Sequence, residues 1–171
     1  MALTDTLSGD LKALIELKLR RTGGGGHTGV DVLSRKPAIS LTDGTGSNQA
    51  IGWFSSTFTA TTSGVTISLA DSSDPLGAAG DDAPTCDPEG TDLRLLMIEN
   101  LDDTNYITIE KGTNGVSFLG TTPGIKVPPG GVFFLMAGED GLGPLNDGSN
   151  DEIKITANTA DCSVAIDYVF G

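Results

Sequence analysis

The sequence predicts an all-β fold: an antiparallel β-sandwich of about eight strands, jelly-roll-like, carrying an N-terminal α-helical arm. Three observations predict it. Short apolar runs recur through residues 93–136, separated by Asp102-Asp103-Thr104-Asn105, Gly112-Thr113-Asn114-Gly115 and Pro128-Pro129-Gly130-Gly131. Short runs punctuated by turn residues describe sandwiches and barrels. Strict alternation follows at Val65/Ile67/Leu69, Ile107/Ile109, Ile153/Ile155 and Cys162/Val164/Ile166/Tyr168/Phe170, the period of a strand with one wet face. The chain has 171 residues and 24 glycines, enough length to bury a core and enough glycine for many turns.

The first 22 residues read differently. Leu7, Leu11, Leu14 and Ile15 recur at helical spacing. Thr4, Asp5 or Ser8 can cap the start, and Lys18, Arg20 and Arg21 suit the negative end of a helix. The expectation is a helix over 4–21, with those four apolar residues as its partner-binding face. Gly23–Gly26 then form a flexible tether. A tethered apolar helix either folds back on its own domain or docks on another subunit or protein.

Residues 23–49 read as a Gly-rich linker and irregular segment, with short extended pieces at Val30–Leu33 and Ala38–Leu41. The sandwich domain is expected over 50–171. In its first strand Phe54, Phe58 and Ala60 share one parity, Ile51 and Trp53 the other. Residues 93–98 and Val132–Met136 are apolar on both parities, which predicts central strands covered on both faces. Val116–Leu119 is a further apolar run. Two long loops, 71–92 and 137–152, are acidic; the first holds seven carboxylates.

Charge is divided. Residues 1–36 hold six basic and four acidic residues, whereas the rest holds four basic against nineteen acidic, giving −13 overall. An acidic body repels phosphate, so nucleic acid is not an expected partner. No run reaches transmembrane length, and Met1–Thr6 lacks the features of a secretory leader, so no membrane association is expected. Cys86 and Cys162 could pair, but two cysteines specify no framework, and two free thiols are the expectation.

Chemistry is sparse. His27 is the only histidine and lies beside the tether, away from any core nucleophile. The glycine run is not followed by Lys-Ser/Thr and ends an element rather than opening one, so it is no phosphate loop. No Cys/His spacing suggests zinc. Calcium is the one ion weighed, with Asp71, Asp74, Asp147 and Asp151 as candidate ligands on Gly-rich loops. Their spacing matches no EF-hand, and solvated acidic loops are the plainer reading. No cofactor is expected, and the chain is read as a non-enzyme.

One resemblance is present. Glu99-Asn100-Leu101-Asp102-Asp103-Thr104-Asn105-Tyr106-Ile107-Thr108-Ile109 leads to Ile125-Lys126-Val127-Pro128-Pro129-Gly130-Gly131-Val132-Phe133-Phe134-Leu135. Together with the N-terminal arm and Gly tether, this resembles small virion structural proteins of tailed bacteriophages. The resemblance covers mainly residues 93–136 and extends loosely to residue 171. It implies an assembly role in the virion, after synthesis in the host cytoplasm: a capsid decoration or cement protein, or a neck, tail or fibre part. The implied partners are the major capsid protein or other virion proteins and further copies of the chain in a homo-oligomer. A calcium-assisted carbohydrate-binding module is the alternative from another class.

Overall fold

The structure, a computed structural model, describes residues 9–12, 15–22, 28–35, 38–77, 83–120, 124–137 and 140–171, with side-chain surroundings from Ser40 onward. Among the described residues thirteen strands follow in order: β1 (Gly9–Lys12), β2 (Ile15–Thr22), β3 (Thr28–Arg35), β4 (Ala38–Asp43), β5 (Gln49–Ala50), β6 (Gly52–Ala60), β7 (Val65–Ser68), β8 (Leu93–Asn100), β9 (Ile107–Lys111), β10 (Ile125–Val127), β11 (Val132–Met136), β12 (Glu152–Ala157) and β13 (Cys162–Phe170). Among the described residues there is no α-helix; Ser117–Leu119 is a 3-10 turn, and Gly77 belongs to another.

Strands β6 to β13 form two four-stranded antiparallel sheets, ordered β11-β8-β13-β6 and β10-β9-β12-β7. The alternation along each strand decides which side is buried. On β13, Cys162, Val164, Ile166, Tyr168 and Phe170 are all fully buried. Across the register they meet Phe54 and Phe58 of β6 and Leu96 and Ile98 of β8. Ile107, Ile109, Ile153, Ile155 and Ile67 supply the opposing face. Tyr168 stacks obliquely on Phe54 and Phe170, with ring centroids 5.1 and 5.9 Å apart, an arrangement that suits the ring quadrupoles.

Where residues of the helix expected over 4–21 are described, the structure has strand instead. These residues form β1 and β2, and β2 pairs antiparallel with β3 from Ile15↔Arg35 to Thr22↔Thr28. The sequence carries two competing periods here. Leu7, Leu11, Leu14 and Ile15 fit a helix, while Ile15, Leu17 and Leu19 alternate with Glu16, Lys18 and Arg20. A partner strand of equal length, Thr28–Arg35, tips the balance to the two-residue period. The irregular segment expected over 23–49 therefore contains ordered strands. β4 pairs with β1 and, in parallel, with β5. The Gly23–Gly26 tether and His27 lie outside the described residues.

Two further expectations change. Val116–Leu119 is a turn, not a strand: Val116 and Ser117 donate their amides to the Glu152 carbonyl and Asn150 Oδ1. Strand β8 lies inside its sheet as expected, but β11 is an edge strand, with Val132 and Phe134 exposed.

The segment that carries the resemblance is a polar clasp. Asn100 is completely buried, and its side-chain amide donates to the carbonyls of Asn105 (2.8 Å) and Pro128 (3.1 Å). Asp102 Oδ1 accepts the amides of Thr104 (2.8 Å) and Asn105 (2.5 Å). Residues 101–105 and the Pro-Gly turn are thereby locked to the end of β8. A buried amide with several partners is the stable arrangement for a polar group out of water.

A candidate interaction surface on the outer sheet face

The two sheets differ on the faces turned away from the core. On the β10-β9-β12-β7 sheet the outer rows are polar: Lys126, Thr108 and Thr156 form one, and Glu110, Lys154 and Thr66 another. Lys126 Nζ lies 3.5 Å from the centre of the Tyr106 ring. This is the ordinary wet face of a sandwich.

The outer face of the β11-β8-β13-β6 sheet is built otherwise. Its register sets three rows: Val132–Glu99–Ala165–Thr57, Phe134–Met97–Asp167–Ser55 and Met136–Leu95–Val169–Trp53. Trp53, Val132 and Phe134 are 47%, 52% and 38% exposed. Leu95, Met97, Met136 and Val169 are half-buried. Leu101 and Ile125, beyond the sheet, are also exposed. A largely apolar face of this kind, dotted with two carboxylates, is a candidate interaction surface. Phe, Trp and Met side chains are those enriched in the core of protein interfaces.

These residues were visible in the sequence, but their meaning was not. Residues 93–98 and 132–136 are apolar on both parities because one side meets the core and the other forms this surface. Trp53 gave the same signal by standing out of phase with Phe54 and Phe58. Of the residues expected as a helical contact face, Leu11 lies in β1 opposite Ile39 and Ile15 in β2 opposite Arg35. Leu7 and Leu14 lie outside the described residues.

Where described, the acidic loops are tied down by hydrogen bonds of their own. Asp71 Oδ1 accepts the Ser73 amide and hydroxyl, both at 2.8 Å, and the Asp74 amide at 3.2 Å. The bonds from Ser73, then that from Asp74, hold its carboxyl below the usual range despite partial burial. Asp151 is buried, and Ser68 Oγ donates to its Oδ2 at 2.5 Å. Burial holds its carboxyl above the usual range; the Ser68 bond acts against this, while Glu152 and Asp147 add to it. Asp147 is exposed. The two loops also pair with each other: Leu145 donates its amide to the Thr91 carbonyl, and Gly90 donates to that of Leu145. Among the described residues no group of three or more His, Cys, Asp or Glu could hold a metal ion.

A groove of about 680 Å³ opens between β6 and β7, lined by Thr57, Thr59, Thr61 and Thr66 with Phe58, Val65 and Leu76. Cys86 is exposed and Cys162 buried, and both are free thiols. Arg94 is buried and donates to the carbonyls of Gly171 (2.8 Å) and Gly46 (2.9 Å), which fastens the end of the chain and the 44–48 loop to β8.

Comparison with protein-family models, curated proteins and solved structures returned no match for the chain.

Proposed function

We propose that the chain is a virion structural protein of the capsid-decoration type, a jelly-roll subunit that docks on a phage head and stabilises it. The observation that carries the reading is the apolar outer face of one sheet, set against the polar outer face of the other. Such asymmetry gives a subunit one side to be buried and one side for water.

The strand order supports the finer fold assignment. Counted from β6, the eight sandwich strands run sixth-third-eighth-first in one sheet and fifth-fourth-seventh-second in the other. That is the winding of two interlocked Greek keys, the plan of jelly rolls, which recur in viral capsid and lectin domains. Fold alone does not assign function, so the argument rests on the surface together with the winding. The acidic composition adds to it, because a strongly negative body keeps a crowded, repeated array soluble. A neck, tail or fibre subunit would use the same surface in fewer copies. A carbohydrate-binding reading draws on the threonine-lined groove, and calcium-dependent melting would favour it.

The test is the copy number of this chain in purified virus particles, relative to the main shell protein, by quantitative mass spectrometry. A number comparable to the shell protein is expected. A small number would move the subunit to the neck, tail or fibre, and absence from particles would remove the virion reading.

A further inference from the structure

We infer that the edge of β11 pairs with β11 of a second copy of this chain, antiparallel about Phe134, so that one sheet runs continuously across a dimer. The inference goes beyond the virion reading and does not rest on it, since it concerns only how copies of the chain meet.

The hydrogen bonds of β11 fix which groups its edge offers. Asn100 donates its amide to the Gly131 carbonyl, and Ala137 donates to that of Arg94. Gly131, Phe133, Leu135 and Ala137 therefore turn their backbone groups toward β8. Bond direction alternates along a strand, so the amides and carbonyls of Val132, Phe134 and Met136 point away from it. Among the described strands β11 bonds to β8 alone.

The edges β6, β7 and β10 carry guards that β11 lacks. At Trp53 of β6, the carbonyl accepts the Thr85 amide at 3.1 Å and the amide donates to Thr85 Oγ1 at 3.0 Å. On β7 the Ser68 amide donates to the Pro75 carbonyl at 2.8 Å. Strand β10 is only three residues long and carries Lys126. Loop cover, shortness and lysine are devices that keep sheet edges from pairing. Val132–Met136 reads Val-Phe-Phe-Leu-Met, with neither charge nor proline.

The core also stops short on this side. Phe133 and Leu135 share the inward parity of their fully buried partners Ile98 and Leu96, yet they are only half-buried. Ile125 of β10, joined to β11 through residues 128–131, pairs with buried Ile109 yet is 40% exposed.

A second β11 meets both needs. Pairing centred on Phe134 sets Phe134 opposite its own copy and Val132 opposite Met136 of the second copy, each pair exchanging both of its hydrogen bonds. Phe133 then meets Leu135 of the second copy on the inner face, where each lacks cover. The strand brings no charge to the axis. On the outer face Glu99 comes to share a row with Leu95 of the second copy, three strand spacings or about 14 Å away, so like charges do not meet. A patch that fits itself about a twofold axis makes the commonest kind of oligomer.

The test uses the full chain. Equal amounts of ¹³C,¹⁵N-labelled and unlabelled protein are mixed, allowed to exchange, and studied by isotope-filtered NMR. Opposed residues of a non-hydrogen-bonded antiparallel pair bring their Cα atoms to about 4.5 Å. An intermolecular Hα–Hα cross-peak between Phe133 and Leu135 is therefore expected. A dimer without that cross-peak, or a monomer at every concentration, would overturn the inference. As an independent check, Phe134→Lys sets two lysines opposite each other on the axis and leaves the bonds to β8 intact. This variant is expected to sediment as a monomer with unchanged circular dichroism. A folded Phe134→Lys dimer would also overturn the inference. The cross-peak is read on the unmodified chain, so it decides even where the variant does not fold.

Discussion

Trp53 and Met136 lie on one cross-strand row at opposite edges of the same sheet, connected through Val169 and Leu95. The row spans the whole width of the sheet with apolar side chains on the side away from the core. Core formation does not require this, because the opposite parity already fills the interior with Phe54, Leu96 and Tyr168.

The two parities should respond in opposite ways to a polar residue. Ile166 is fully buried between Ser56 and Ile98, so Ile166→Asp is expected to abolish folding, because a buried unpaired charge costs several kcal/mol. Trp53→Ser is expected to change stability by less than about 1 kcal/mol, as surface substitutions usually do. Thermal melts followed by circular dichroism compare the two. Normal melting of the Ile166 variant would mean that the strand parity is wrong.

Asn100 closes the clasp between residues 101–105 and the Pro-Gly turn. Asn100→Ala leaves the carbonyls of Asn105 and Pro128 without this donor, so a loss of about 2 kcal/mol is expected. For a chain of this size that is a fall in Tm of roughly 4–8 °C. An unchanged Tm would show that water replaces the amide without cost.

Asp151 gives a pH signature. Burial raises its carboxyl above the reference value of 3.8. A raised acid contributes most to stability below its unfolded pKa, and that contribution is lost as pH rises through the folded value. Asp151→Asn keeps an oxygen for Ser68 Oγ and removes the charge. The variant is therefore expected to gain on the wild type as pH rises above the reference value of 3.8, with the difference read from paired melts. A difference that does not change with pH would rule out Asp151 as the source.

Tyr168 contributes through its ring, not its hydroxyl. The hydroxyl is buried without a hydrogen-bond partner, and burial, with a smaller push from Asp71, drives its pKa far up. Tyr168→Phe keeps the contacts with Phe54 and Phe170 and removes the unpartnered group. Stability is expected to rise by about 1 kcal/mol, measured by urea unfolding. A loss of stability would reveal a partner for the hydroxyl.

The sandwich was legible in the sequence where one face is wet. Val65/Ile67, Ile107/Ile109, Ile153/Ile155 and the run from Cys162 to Phe170 alternate cleanly, and each lies where that alternation predicts. Legibility failed where two periods coincided. Leu11 and Ile15 fit a helix as well as a strand, and the pairing of β1 with β4 and of β2 with β3 decides between them. It also failed where apolar residues occupy both faces. Leu95, Met97, Val132 and Phe134 give the same signal whether a face is covered by the chain itself or held ready for a partner. That distinction depends on the strand order, which sets β11 at an edge. Asn100 was quoted as part of a motif, but its role depends on Pro128, 28 residues away, which local reading cannot connect.

The central claim is that the outer face of the β11-β8-β13-β6 sheet is an assembly surface. Sedimentation velocity of the full chain and of a Trp53→Ser/Phe134→Thr double variant tests it most directly. The wild type is expected to sediment as an oligomer. The variant is expected to sediment as a monomer with the same β-type circular dichroism. Two monomers, or two oligomers of equal mass, would contradict the account.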